Sequence, residues 1–288
     1  MKRRQLLTAL PAIGVTPLAA ATEAVKKARL RSAICAYSFR EALRAKTMTY
    51  DDLVRLAADL GVDGLDLTVY WFPTTSDDFL APLRRLAYKL AVEIYSISVR
   101  TEMCRPKAED RQAELMQIAA WLEVAQKLGA GHIRVFGGRV PQGATEDQAA
   151  GWAAEVLRSA ADLAAKKGVV LGLENHGGIT ARADRVIQIV RQVDSPWVGV
   201  NVDTGNFESE PYEQVEKLIP YAVNVQLKTE VRLAPKQTAP SDWNRFIQML
   251  AKSGYRGYVA LEYEGKEDAM TAVPRLMGEL RRLLAAST

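Results

Sequence analysis

The chain has 288 residues, 48% of them apolar and 25% charged, which allows one well-buried core and excludes a disordered or collagen-like chain. Three units of its formal charge of +4 come from Lys2, Arg3 and Arg4, with no acid before Glu23, so the body is close to neutral. Its basic pairs, such as Arg84-Arg85, are scattered along helical stretches, which argues against a nucleic-acid partner. Two cysteines, Cys35 and Cys104, are too few for a disulfide framework and lack metal-ligand spacing, so both are expected as buried thiols.

Residues 1–21 join a basic start, an apolar stretch from Leu6 to Leu18, and small residues at Ala19 and Ala21 suited to signal cleavage. Pro11, Gly14 and Pro17 interrupt the stretch, which is shorter than the ~20 residues needed to cross a bilayer. No permanent membrane anchor is expected. Arg3-Arg4-Gln5-Leu6-Leu7 resembles a twin-arginine signal, read by a translocase that exports folded proteins. The destination is then periplasmic or otherwise extracytoplasmic. Residues 22–31 read as a linker and 32–288 as a single domain.

From Ser32 onward, β-rich runs alternate with stretches of helical period. The runs are Ala33 to Phe39, Gly64 to Tyr70, Val92 to Val99, His132 to Phe136, Val169 to Glu174, Val198 to Asp203, Ala222 to Lys228, and Tyr258 to Tyr263. Between the first two, Leu53, Leu56, Ala57 and Leu60 share a helix face that stops at Gly61; Gly129, Gly168 and Gly254 close later helices. Eight strand-then-helix units make a (β/α)8 TIM barrel the simplest topology. A doubly wound sheet would carry a glycine-rich phosphate loop after an early strand, and Gly137-Gly138 alone is not one.

A barrel places its chemistry at the carboxyl ends of its strands. Strands five to eight end on Glu174, Asp203, Gln226 and Glu262, and alternation turns Gly172, Asn201, Asn224 and Ala260 inward beneath them. Three carboxylates meeting at one point would repel each other unless a cation intervened. Glu174, Asp203, Gln226 and Glu262 are therefore expected to hold one divalent metal, Mn2+ or Mg2+ rather than Zn2+ because the donors are oxygens. The rival reading places these groups in separate salt bridges on the rim.

The motifs Leu173-Glu174-Asn175-His176-Gly177-Gly178, Val202-Asp203-Thr204-Gly205-Asn206, Val225-Gln226-Leu227-Lys228 and Leu261-Glu262-Tyr263-Glu264-Gly265 resemble the xylose isomerase-like barrel superfamily, also called the sugar phosphate isomerase/epimerase family. The resemblance covers most of the chain after the signal. It implies a divalent cation bound at the four strand ends and proton transfer beside a carbonyl through an enediolate, with Glu174 and Glu262 on either side of the substrate. Gln226 stands where histidine is commoner, which is similar to the branch acting on 3-keto glycosides. Asn206 departs from the histidine of the ketose epimerase branch.

His176 is a candidate proton shuttle or an organiser of its loop, and Lys228 a candidate for neutralising enolate charge or a structural ion pair. Tyr37, Phe39 and Tyr70, with Trp71, could stack on a sugar ring; Arg100 and Arg139 could grip hydroxyls or an anionic group. His132, at the start of strand four, reads as structural. The expected partner is a small carbohydrate, with glycosides favoured over phosphorylated sugars by export; a homo-oligomer is compatible with the sequence. The alternatives are a 3-keto-glycoside lyase or hydratase using the same proton abstraction, and a sugar-binding barrel without turnover. A nuclease of this superfamily would need more histidines than the two present.

Overall fold

The computed structural model describes residues 27–287. The signal assigned to residues 1–21 and the first half of the linker, 22–26, lie outside them. Eight parallel strands close into a barrel in the spatial order β1 (Arg29–Cys35), β10 (Arg256–Glu262), β7 (Ala222–Lys228), β6 (Val198–Asp203), β5 (Val170–Glu174), β4 (His132–Phe136), β3 (Glu93–Ser98) and β2 (Gly64–Thr68). Each strand leads into helix, in chain order α1 (Arg40–Arg44) with α2 (Tyr50–Asp59), then α3 (Asp77–Lys89), α4 (Ala108–Leu128), α5 (Glu146–Lys167), α6 (Ala183–Val193), α7 (Pro211–Leu218), α8 (Trp243–Ser253) and α9 (Ala269–Ala286). Between β7 and α8 a two-stranded hairpin, β8 (Glu230–Ala234) and β9 (Gln237–Pro240), is added to the basic plan.

The helices begin and end where local chemistry says they should. Thr49 and Thr145 form capping boxes with Asp52 and Gln148, each satisfying two orphan backbone donors at the starts of α2 and α5. Gly129 and Gly168 take left-handed backbone angles (φ +79° and +66°) that close α4 and α5 without the steric cost a Cβ would bring. No helix among the described residues is long and apolar enough to cross a membrane.

Strand alternation produces two interiors of opposite character. Leu65, Leu67, Ile97, Ile133, Leu171, Val200 and Leu261, all fully buried, belong to the continuous apolar core shared with buried helix residues such as Leu53, Leu80, Ile118, Leu157 and Ile189. The opposite strand faces fill the barrel, and there the side chains are small or polar. Asp66 accepts from Ser96 Oγ (2.9 Å), Ser98 Oγ (2.8 Å) and Gln226 Nε2 (3.0 Å). Asn224 donates to Asn201 (2.7 Å) and accepts from Tyr95 Oη (3.0 Å). A polar lattice thus stands under the mouth in place of an apolar plug, and its bonds answer the desolvation cost of each group.

Strand one differs from expectation. It begins at Arg29, inside the expected linker, and ends at Cys35; residues 36–39 turn into a 3-10 helix, so Tyr37 and Phe39 are loop residues above the strand. Tyr70 and Trp71 likewise sit in a 3-10 turn after β2. Cys35 and Cys104 are both buried free thiols, as expected.

Candidate active site

The carboxyl ends of β4, β5, β6, β7 and β10 supply a compact set of charges. Glu174, Asp203 and Glu262 are all buried, 3%, 0% and 7% exposed, which decides that their charges must be answered by protein or ligand rather than by water. Two side-chain cations answer them. Lys228 Nζ lies 3.0 Å from Glu262 Oε1, 3.4 Å from Asp203 Oδ2 and 2.6 Å from Glu264 Oε2. Arg134 Nε lies 2.9 Å from Glu174 Oε2, and its Nη1 donates to Tyr70 Oη (3.2 Å) and Val99 O (3.0 Å). The expectation that only a bound dication makes these carboxylates tolerable is therefore corrected: the chain carries its own counter-charges.

Gln226 is placed by its register. It pairs in register with Asp203 and Ala260, whereas Lys228 is level with Glu262, so the strand stagger sets Gln226 a layer below the mouth on its β10 side. Its Oε1 accepts from Asn201 Nδ2 (2.7 Å) and its Nε2 donates to Asp66, which spends both ends in the lattice beneath the mouth. In this arrangement its carbonyl oxygen is taken up by Asn201.

The environments push the carboxyls apart. Burial raises Glu174, but the Arg134 guanidinium and the His176 hydrogen bond more than offset it and hold Glu174 below the usual carboxylate range. Glu262 is raised by burial, only partly countered by Lys228, with Glu174 and Glu264 adding repulsion. Asp203 is pushed up to about 8 by burial, again partly countered by Lys228, while Glu262 and Glu174 add to the rise. Burial disfavours charge on Lys228, yet Asp203, Glu262 and Glu264 outweigh it and keep the ammonium charged.

His176 Nδ1 meets Glu174 Oε1 at 2.7 Å, and Asn206 Nδ2 donates to the same oxygen at 3.0 Å. The imidazole stacks on Phe136, centroids 4.1 Å apart, with about half of its side chain exposed. Despite its burial penalty its pKa is raised, because the Glu174 carboxylate stabilises the imidazolium. Across the mouth, Tyr37, Tyr70 and Trp71 form a partly exposed aromatic wall with centroids 5.7–6.5 Å apart. Phe39, expected to share that wall, is 1% exposed and packs in the core instead. Arg100 lies over the Tyr70 ring at 4.2 Å, and Arg139 donates its backbone N–H to Glu102 Oε1 at 2.9 Å. His132 is structural, as expected: it is buried, with Nδ1 on Ser96 Oγ (2.8 Å), and burial lowers its pKa to about 3.

Sequence reasoning missed Arg134, Asp66 and Glu264. The alternation rule applied to strands five to eight would have found Arg134 on strand four, two residues before Phe136 and facing inward. Glu264, in the loop after β10, stood in the motif Leu261-Glu262-Tyr263-Glu264-Gly265, two residues past a strand-end acid as His176 and Lys228 are, but was assigned no role.

The donor chemistry suits a hard dication. Three buried carboxylates gather here, and Glu174 Oε2 and Asp203 Oδ2, though in ion-pair contact with Arg134 and Lys228, accept no hydrogen bond of good geometry. Among the described residues no three His, Cys, Asp or Glu side chains are set to hold a metal as they stand, and Lys228 Nζ lies between Asp203 and Glu262. A dication here has to take the place of that ammonium.

A closed parallel barrel with ionisable side chains gathered at its strand ends defines the class as a TIM barrel with an enzyme-like mouth. The profile of the xylose isomerase-like TIM barrel family matches residues 54–285, and the chain belongs to that family. It is similar in fold to D-psicose 3-epimerase from Clostridium cellulolyticum H10, solved with D-tagatose, with a TM-score of 0.67 and 18% identity over 89% of this chain and 96% of that one. It is also similar to 3-keto-D-glucoside 4-epimerase, YcjR, from E. coli, with a TM-score of 0.69 and 17% identity over 89% of this chain and 100% of the other. The IolI protein, solved with a bound zinc atom, gives a TM-score of 0.69 and 15% identity over 89% and 97% of the two chains. Identities this low show the shared fold alone. No curated protein matches the sequence significantly.

Proposed function

We propose that the chain is an isomerase or epimerase that moves a proton at the carbon beside a carbonyl, on a keto sugar or 3-keto glycoside. The observation that carries this reading is that one mouth holds two buried carboxyls with different partners, Glu174 between Arg134 and His176 and Glu262 against Lys228. Such a difference in surroundings is how a site assigns one group as base and the other as acid.

Glu174 takes the proton, kept ionised by Arg134 and His176. Glu262 returns a proton from its own side of the ring. In the metal-free site Lys228 places a positive charge beside Asp203 and Glu262, where negative charge would develop on a substrate oxygen; a bound cation would take over that place, with the ammonium moved towards Glu264. His176, half-exposed and bonded to Glu174 Oε1, connects the base to solvent, while Asn206 fixes the same carboxylate oxygen. Tyr37, Tyr70 and Trp71 give a sugar ring an apolar face to lie on. Glu174, Asp203 and Glu262 would hold a divalent cation, Mn2+ or Mg2+ by their oxygen donors, and it would supply Lewis-acid stabilisation of the enediolate. The twin-arginine-like segment at residues 1–21 supports an extracytoplasmic setting, and with it glycosides over phosphorylated intermediates.

The test is solvent exchange. Protein with 1 mM MnCl2 and a 3-keto glucoside in D2O is followed by NMR. Deuterium entering beside the carbonyl without change of carbon skeleton is expected; release of the aglycone would assign the elimination variant of the same abstraction. No exchange into any keto sugar or 3-keto glycoside, with metal present, would overturn the reading.

A further inference from the structure

A second cavity adjoins the mouth, about 720 Å3, and its walls include His176 and Phe136 at one side and Arg100, Arg105 and Arg139 at the other. That volume falls within the range of about 300–1,000 Å3 typical of small-molecule sites and is ample for another sugar-sized unit. His176 lines this cavity and bonds Glu174, so the cavity and the reaction centre share a wall.

The three arginines of this cavity take part in no ion pair among the described residues. Elsewhere on the surface the chain pairs its arginines across elements, as with Arg111 and Glu155, Arg185 and Asp147, Arg245 and Glu213, and Arg275 and Glu267. The acids of the cavity are already committed. Glu102 Oε1 accepts the Arg139 backbone N–H, and the buried Glu114 is pushed up by burial, countered in part by the Glu102 backbone and the Arg105 charge. Its threonines are committed too: Thr101 donates to Phe136 O (2.7 Å) and Thr180 to Gly177 O (3.0 Å). The Arg100, Arg105 and Arg139 guanidiniums, with the Gln117 amide and the His176 ring, are the side-chain donors left in the lining.

The walls are built in advance. Thr101 is bonded both ways to Phe136, Met103 N–H donates to Gly137 O (3.1 Å), and Ile179 N–H donates to Gly138 O (3.0 Å). The loops after β3, β4 and β5 are thereby joined to each other. Arg100 is oriented further by the Tyr70 ring, whose hydroxyl accepts from Arg134 on the far side. Guanidinium forks recognise planar or tetrahedral oxyanions, and of the three the Arg100 fork is placed by its ring contact.

We infer that this cavity is a subsite for an oxyanion-bearing unit of the substrate, a carboxylate, sulfate or phosphate attached to the sugar or its aglycone, gripped by Arg100 and Arg139 with Arg105 at the outer end. The inference rests on the proposed function for the word substrate, but its test is binding. Isothermal titration of the full chain compares methyl β-D-glucuronide, glucose 6-sulfate, glucose 6-phosphate and neutral methyl β-D-glucoside at pH 7.5. At least one anionic sugar is expected to bind tenfold or more tightly than the neutral one, and the anion that leads identifies the oxyanion. The preference should vanish in Arg100→Gln/Arg139→Gln, weaken in Arg105→Gln, and fall with added salt. Because all three arginines are exposed, the variants should melt like the parent. Equal binding of neutral and anionic sugars, or a preference untouched by the double variant, would overturn the subsite while leaving proton transfer standing. Failure of solvent exchange with an intact anion preference would do the reverse.

Discussion

Replacing Lys228 by Met removes the positive charge that Asp203 and Glu262 share, keeps a side chain of similar length, and leaves two buried carboxyls facing each other. At an effective dielectric constant of about 20, contacts of 3.0 and 3.4 Å are each worth about 5 kcal/mol before desolvation is counted. Desolvation of the ammonium cancels much of this, and loss of one partner from a buried pair typically costs about 3–5 kcal/mol. Glu264 adds little because its side chain is 43% exposed and water screens it. Asp203, already pushed up to about 8, takes up a proton near neutral pH and sets a ceiling on the loss. For a domain of this size the expected fall in Tm is about 6–20 °C.

Supplied metal offsets part of this loss. In the parent, a dication must displace Lys228, so its binding energy is partly spent; in Lys228→Met it fills a site with no competitor. Saturating metal at about one hundred times Kd contributes about 2.7 kcal/mol to the folded state. Thermal melts at pH 7.5 in EDTA and in 1 mM MnCl2 should therefore show a larger metal-induced rise for Lys228→Met than for the parent. A variant as stable as the parent in EDTA, or equal metal-induced rises in both, would refute the account of Lys228 as the resident counter-charge.

His132 has its pKa lowered to about 3 by burial, while an unfolded histidine titrates near 6.5. Between those values the unfolded chain binds the proton that the native one refuses, so stability falls as pH drops, by about 2 kcal/mol between pH 7 and 5 from this residue. Urea unfolding of His132→Asn should lack that share of the slope; an unchanged slope would show that His132 is protonated in the fold. Gly178 has φ +52°, and a Cβ there would run into the Gly138 carbonyl oxygen that joins two mouth loops. Gly178→Ala should cost about 1–3 kcal/mol and raise amide exchange at Ile179, whose N–H bonds Gly138; protection equal to the parent's would count against a preformed loop cluster.

The barrel was legible because its apolar faces alternate without interruption. The runs at 132–136, 198–203 and 222–228 coincide with β4, β6 and β7. Strand one was read four residues late, since Ala36 to Phe39 continue its apolar run into a 3-10 turn and nothing in composition separates the two conformations. The β8–β9 hairpin escaped notice because its turn is Pro235-Lys236, with Lys236 at φ +66°, where the usual signal would be glycine or asparagine.

The site was half legible for a related reason. Strand alternation located Glu174, Asp203, Glu262 and the small or amide residues below them. It does not report how far each strand is shifted along its neighbour, and that shift places Lys228 rather than Gln226 beside Glu262. Charges from a fifth strand complete the balance: Arg134 neutralises Glu174 from β4, a strand whose own end, Phe136, carries no polar group.

The central claim is that Glu174, Asp203 and Glu262 form one site whose negative charge is met by Lys228 and can be met by a divalent cation in its stead. Anomalous diffraction from crystals soaked in MnCl2 tests this most directly. One manganese peak within bonding distance of all three carboxylates is expected, with the Lys228 ammonium moved away from Asp203 and Glu262 towards Glu264. Full soaking with no peak at the mouth, or a peak elsewhere while Lys228 stays in place, would contradict it.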